Sequence, residues 1–176
     1  MSRKRLLLLK VVSAFMLTFM TITACNNQPK EIDLTYEGVE QIASAGKVKL
    51  NEARKPSLMV VSRPAEVDGL DGLITDETRT ALLALDYSVY FVLAAFQGWK
   101  PCSCYSILVS RISRVGNTVN VYIQLHEPSP DEEKADIVTS PFHLIIVRKD
   151  DNWGKVILFN LIVDATIVDS VSHDIP

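Results

Sequence analysis

The chain has 176 residues, 48% apolar and 22% charged, with a formal net charge of −3. Those proportions sit near the globular average and exclude a wholly disordered chain, a collagen and a coiled coil. Four of the 18 basic residues and none of the 21 acids fall in residues 1–24, which leaves 14 basic against 21 acidic side chains, a net of −7, for the rest. So acidic a body is a poor ligand for nucleic acid, where counterion release needs clustered Lys and Arg.

Residues 1–24 read as an export leader. Arg3, Lys4 and Arg5 precede an apolar stretch from Leu6 to Met20, and Thr21-Ile22-Thr23-Ala24 leads into Cys25. A basic start, an apolar middle and a small-residue cleavage site define such a signal. Ile22-Thr23-Ala24-Cys25 resembles a bacterial lipobox. That resemblance implies cleavage before Cys25 and a diacylglyceryl thioether on its sulfur. Two or three acyl chains hold a soluble domain on a membrane, where one binds only marginally. Residues 6–24 are short for a span and contain Lys10, which disfavours an uncleaved transmembrane anchor. The expected location is the bacterial cell envelope, outside the cytoplasm. Residues 25–35 then form the lipidated Cys and a polar tether.

The body is expected over 36–163. Residues 36–46 are read as a short helix that Gly46 stops. Ser57 to Ser62 is a short strand closed by Pro64, and Gly69, Asp71 and Gly72 mark a loop. Thr75 caps a helix whose first turn holds Asp76 and Glu77, favourable against the helix dipole. Leu82 and Leu85 give this helix its apolar stripe, and Asp86 ends it. Tyr87 to Phe96 is apolar on both faces, which predicts a central strand. Gly98 and Pro101 break the chain before the strand Tyr105 to Ile112.

Gly116-Asn117 is a two-residue hairpin turn. The return strand alternates, with Val119, Val121, Ile123 and Leu125 on one face and Thr118, Asn120, Tyr122 and Gln124 on the other. One face meets a core and one meets water. Glu127 to Asp136 is an acidic, proline-bearing loop without the oxygen spacing of a calcium loop. Phe142 to Val147 and Lys155 to Val163 are read as a further strand pair joined by a polar loop, and 164–176 as a tail. The predicted fold is α+β or mainly β: one domain, antiparallel sheet or sheets of five to seven strands, and one or two short helices.

Gly98-Trp99-Lys100-Pro101 followed by Tyr105-Ser106-Ile107, and Thr139-Ser140-Pro141-Phe142-His143 further on, resemble the two motifs of the PrcB-like family. Asp86-Tyr87, ahead of an apolar strand, resembles it as well. The similarity runs over roughly residues 57–149. The family is named for a protease-complex subunit, and its C-terminal domain recurs in exported proteins. It implies no enzymatic activity and a role in stabilising or assembling a partner, with a protease as the candidate. This chain departs from the pattern at Ser103-Cys104, where the family has two glycines.

Cys102 and Cys104 are the two cysteines besides Cys25. They are read as a disulfide or a thiol pair, since a metal site or a redox helix needs ligands and spacing absent here. His126, His143 and His173 are scattered over strand ends and the tail. The sequence contains no HExxH, zinc-finger, P-loop, Rossmann or G-x-S-x-G pattern. No catalytic residue, metal or cofactor is therefore expected. Trp99 and Trp153 stand in predicted turns beside Gly and are the candidate interface residues. A lipid-anchored interaction domain is the leading reading. The alternatives are a thiol-dependent enzyme using Cys102 and Cys104 and a small-ligand-binding lipoprotein.

If Cys25 is the lipidated residue, Cys25→Ser leaves an unlipidated precursor, longer than the mature protein and without acyl label. Normal acyl labelling and normal mature mass in that variant would contradict the anchor.

Overall fold

A computed structural model describes residues 29–42, 55–129, 137–150, 153 and 155–176. The leader and Cys25 lie outside the described residues, as do 43–54 and most of the acidic loop, 130–136.

Among the described residues nine strands form two sheets. A five-stranded sheet has the order β1(Glu31–Asp33), β5(Ser106–Val115), β6(Thr118–His126), β8(Lys155–Val163), β9(Thr166–Ile175). A four-stranded sheet has the order β2(Tyr36–Ile42), β7(Phe142–Arg148), β4(Tyr90–Phe96), β3(Ser57–Val61). The main core lies between them, built on residues such as Phe91, Ile145, Val121 and Phe159. The other face of the four-stranded sheet is covered by a 3-10 turn, Pro64–Leu70, and helix α1(Asp76–Leu83), which bury Val67, Leu70 and Leu82 against Val92, Phe96 and Leu144. Strands β4 and β7 are therefore buried on both faces, and that is why they read as continuous apolar runs. The mainly-β single domain with two short helices agrees with the sequence reading.

Several elements agree locally as well. Thr75 caps α1 by accepting a hydrogen bond from Thr78 N–H at 3.2 Å. The β5–β6 hairpin turns at Gly116, whose φ of 58° suits the first position of a tight two-residue turn. Val119, Val121 and Ile123 of β6 face the core as the alternation requires.

Four expectations are corrected. Tyr36–Ile42 is a strand, not the start of a helix, because it pairs with the otherwise open edge of β7. Tertiary pairing outweighs a weak helical pattern of seven residues. β7 and β8 do not pair with each other: β7 runs between β2 and β4, while β8 lies parallel to β6. The chain leaves the five-stranded sheet after β6, crosses the other sheet as β7 and returns as β8, which gives a parallel neighbour within a largely antiparallel fold. The end of the expected tether, Glu31–Asp33, is β1, paired with β5. The expected tail is β9, ten residues paired with β8.

The two sheets are joined along both margins by side chains. On one, the edge strand β3 faces β9: Leu58 N–H donates to Asp169 Oδ2 at 2.8 Å, and Ser62 Oγ lies 2.9 Å from His173 Nε2. On the other, a bulge between Val109 and Arg111 takes β5 out of register with β6. Val109 N–H donates to His143 Nδ1 of β7 at 2.9 Å, and its carbonyl accepts from Tyr36 Oη at 3.2 Å. An N–H freed by a bulge and buried would cost roughly 1–3 kcal/mol if left unpaired. Gly38 of β2 completes this margin, since a Cβ there would stand 3.2 Å from His143 Nε2.

His143 must be unprotonated at Nδ1 to accept that bond. Burial pushes its pKa below the ordinary value. The unfolded chain therefore binds a proton more readily than the folded one. This contribution to stability is complete above the unfolded pKa near 6.5 and declines as the pH falls below it. The melting temperature should fall between pH 7 and 5, and His143→Gln should flatten that dependence. An equally steep dependence in the variant would place its origin elsewhere.

The β8–β9 turn consists of Asp164 and Ala165, with φ of 47° and 63°. An alanine at positive φ costs about 1 kcal/mol relative to glycine. Ala165→Gly should raise stability by about 1 kcal/mol, or about 2–4 °C in melting temperature. An unchanged or lower melting temperature would argue against this turn geometry.

Candidate functional site

The two motif segments of the sequence meet at one end of the sandwich. The β4–β7 ladder ends at Phe96 opposite Phe142. One step further, Gln97 N–H donates to the Pro141 carbonyl at 2.8 Å. Pro141 has no N–H to return the bond, so regular pairing stops. It resumes at an isolated antiparallel bridge, where Lys100 and Thr139 exchange both hydrogen bonds at 2.8 and 2.9 Å. From Gln97 to Lys100 the chain takes three steps while the partner takes two from Pro141 to Thr139, so one residue is extra. Gly98, buried and at φ 84°, absorbs the bend in a region that side chains disfavour. Trp99 is left at the surface, 45% exposed.

The turn after the bridge is tied down twice. Cys102 and Cys104 are joined by a disulfide, their Cα atoms 5.3 Å apart. In an extended chain that separation would be nearer ~6.6 Å; the turn brings the pair within easy bridging distance. Thr139 is fully buried, and its hydroxyl donates to the Cys102 carbonyl at 2.8 Å. Lys100 Nζ lies 4.9 Å from the Tyr105 ring centre and 4.0 Å from the Glu127 carboxylate. The bridge thus sets the segment of Trp99 beside that of Ile137 and Val138, which are 48% and 39% exposed. Trp99, Ile137 and Val138 are exposed apolar residues on the two paired segments, with Lys100, Tyr105 and Glu127 near the bridge.

The other candidate residues have different surroundings. Trp153 is not a surface residue. It is 5% exposed, tilted against Phe91 with ring centres 5.0 Å apart, and covered by the Arg114 guanidinium at 4.2 Å. Asp150 holds that guanidinium at 2.6 Å. A loop tryptophan has folded back over the core rim, which removes Trp153 from the candidate interface. The disulfide occupies both sulfurs of Cys102 and Cys104, so neither is a thiolate nucleophile in this state. His143 is committed to the inter-sheet bond. Cys25 lies outside the described residues.

One constellation escaped the sequence reading. Ser62, His173 and Glu66 are in contact: His173 Nε2 lies 2.9 Å from Ser62 Oγ and 3.2 Å from Glu66 Oε2. The residue types are those of a serine hydrolase, but the geometry is not. A catalytic histidine engages serine and carboxylate through opposite ring nitrogens; here both meet the same one. Ser62 is fully buried, its hydroxyl reaches the Asp174 carbonyl at 3.1 Å, and Glu66 accepts from Ser62 N–H at 2.7 Å. The group ties the 3-10 turn to β9. The Ser62–Glu66 spacing was the available sign of it. Nearby, burial and then Glu66 push the Tyr87 phenol up to about 12, too high for acid–base work near neutrality. Among the described residues no group of three or more His, Cys, Asp or Glu is placed to hold a metal ion.

A family model described as PrcB C-terminal matches residues 91–148. No curated protein and no solved structure matches the chain. The matched stretch is shorter than the 57–149 expected from the motifs. It begins in β4 and ends with β7, enclosing the β5–β6 hairpin and both halves of the paired turn. Over residues 91–148, about a third of its length, this chain is similar to the PrcB-like C-terminal domains.

Proposed function

We propose that the protein is a membrane-anchored, extracytoplasmic lipoprotein whose body is a non-enzymatic interaction domain. It stabilises or positions a partner protein, and a protease is the partner class to which the family resemblance points. One observation carries this reading: the PrcB-like match encloses a turn pair that is rigidly bonded from behind and presents Trp99, Ile137 and Val138 to solvent. Protein interfaces draw most of their affinity from a few aromatic anchors held in place before binding. The anchor rests on the lipobox-like Ile22-Thr23-Ala24-Cys25 after a basic and apolar leader.

The alternatives find less support. A thiol enzyme would need a free, activated cysteine, and the two in the body are joined. A small-ligand protein needs an apolar cleft, commonly of about 300–1,000 Å³. Among the described residues, the hollow beside Asp33, Arg148, Lys149 and Asp150 holds about 240 Å³ and is lined largely by charge, while one of about 530 Å³ is a shallow, solvent-open surface along α1 at Asp76, Glu77 and Thr80 rather than an enclosing cleft.

Recovery of the partner with the intact lipoprotein from solubilised membranes tests the reading. Trp99→Ala should weaken partner recovery by about ten- to thirtyfold in apparent affinity and leave the melting temperature within a degree or two. Trp153→Ala should instead cost about 3–5 kcal/mol of stability. Undiminished recovery with Trp99→Ala would remove the interface from this turn.

A further inference from the structure

The disulfide closes a very small ring. Its cysteines are two positions apart. A cross-link stabilises a fold mainly through the loop it removes from the unfolded chain, and a loop this short removes little. Neither sulfur belongs to the apolar cluster between the sheets or to the one under α1. The bond is instead placed to act locally. Cys102 is 2% exposed, and its carbonyl is the one that buried Thr139 bonds. Thr139 in turn makes both backbone bonds to Lys100, the residue after exposed Trp99. Cys104 is only half-buried and lies on the solvent side of this chain of contacts.

We infer that the Cys102–Cys104 disulfide is a redox-operated clasp on the Trp99 turn: oxidised, it holds the Lys100–Thr139 bridge closed, and reduced, it releases the bridge while both sheets stay folded. This goes beyond the binding function proposed above and holds whatever occupies that face. The co-reactant is a dithiol. Its thiolate attacks Cys104 Sγ, the more accessible sulfur. The Sγ–Sγ bond breaks, and Cys102 leaves as a thiolate that takes a proton. The second thiolate of the reductant then attacks the mixed disulfide, freeing Cys104 and closing the reductant into a cyclic disulfide. Two electrons pass from the dithiol to the cystine, and its two protons end on Cys102 and Cys104.

The test uses the full-length protein with dithiothreitol at neutral pH and no denaturant. Mass spectrometry after maleimide treatment should locate no free thiol at Cys102 or Cys104 before reduction and one at each afterwards. Amide exchange at Lys100 and Thr139 should speed up at least tenfold, while Leu93 and Ile145 in the central strands keep their protection. In Trp153→Phe, where Trp99 is the sole tryptophan, its fluorescence anisotropy should fall on reduction. The melting temperature should drop by no more than about 5 °C. Cys102→Ala with Cys104→Ala should reproduce the reduced exchange pattern without reductant. Free thiols before treatment, reduction only upon global unfolding, or unchanged exchange at Lys100 and Thr139 in reduced protein and double variant would each overturn the clasp.

Discussion

The hydrogen bond from Val109 N–H to His143 Nδ1 joins the two sheets where each has lost its regular pairing. β5 bulges at Val109, and β2 is out of register at Gly38. A buried donor left over from a bulge must find an acceptor, and a neutral imidazole from the opposite sheet supplies it. Gly38 makes room for the ring, and Tyr36 takes the carbonyl of the same Val109. Two residues before His143 stands Pro141, where the β4–β7 ladder can no longer be reciprocal. The same short segment thus locks the sandwich and, one step beyond, forces the offset pairing that presents Trp99. Fold and candidate site share one constraint.

Polar groups of reactive types are used here to hold strands. His143 satisfies a bulge, His173 and Glu66 fasten the 3-10 turn to β9, Asp169 caps the open edge of β3, and Cys102 and Cys104 close a turn. At the turn end, by contrast, Trp99, Ile137 and Val138 stand exposed. An edge strand such as β3 invites unwanted pairing, and the bond from Leu58 N–H to Asp169 blunts it.

The sequence made some of this legible and hid the rest for physical reasons. The β5–β6 hairpin was readable because its turn contains Gly116 and β6 alternates apolar with polar. Helix α1 was readable from its Thr75 cap and acidic first turn. β4 was readable as central because both its faces are apolar. β9 was hidden because two of its inward positions, Asp169 and His173, are polar and spend their groups on β3 and the 3-10 turn. Its turn, Asp164-Ala165, also lacks the glycine that usually announces a hairpin. The β7–β8 relation was misjudged because nearness in sequence suggests pairing, whereas the chain changes sheets between them. At the site, Gly98, Pro101, Tyr105, Pro141 and His143 were all singled out by motif, but only the structure shows that the two segments pair through Lys100 and Thr139. Trp153 looked like Trp99 from its neighbours and differs because Arg114 and Phe91 receive its ring.

The central claim is that the Trp99 end of the sandwich is where the protein meets its partner. Site-specific photo-crosslinking in intact cells tests it most directly, with a photoreactive residue placed in turn at 99, at 137 and at 158, where exposed Leu158 lies on the outer face of the five-stranded sheet. The account predicts one discrete crosslinked protein from positions 99 and 137 and none from 158. The same adduct from 158 alone, or no adduct from 99 and 137 in protein that is correctly anchored and folded, would contradict it.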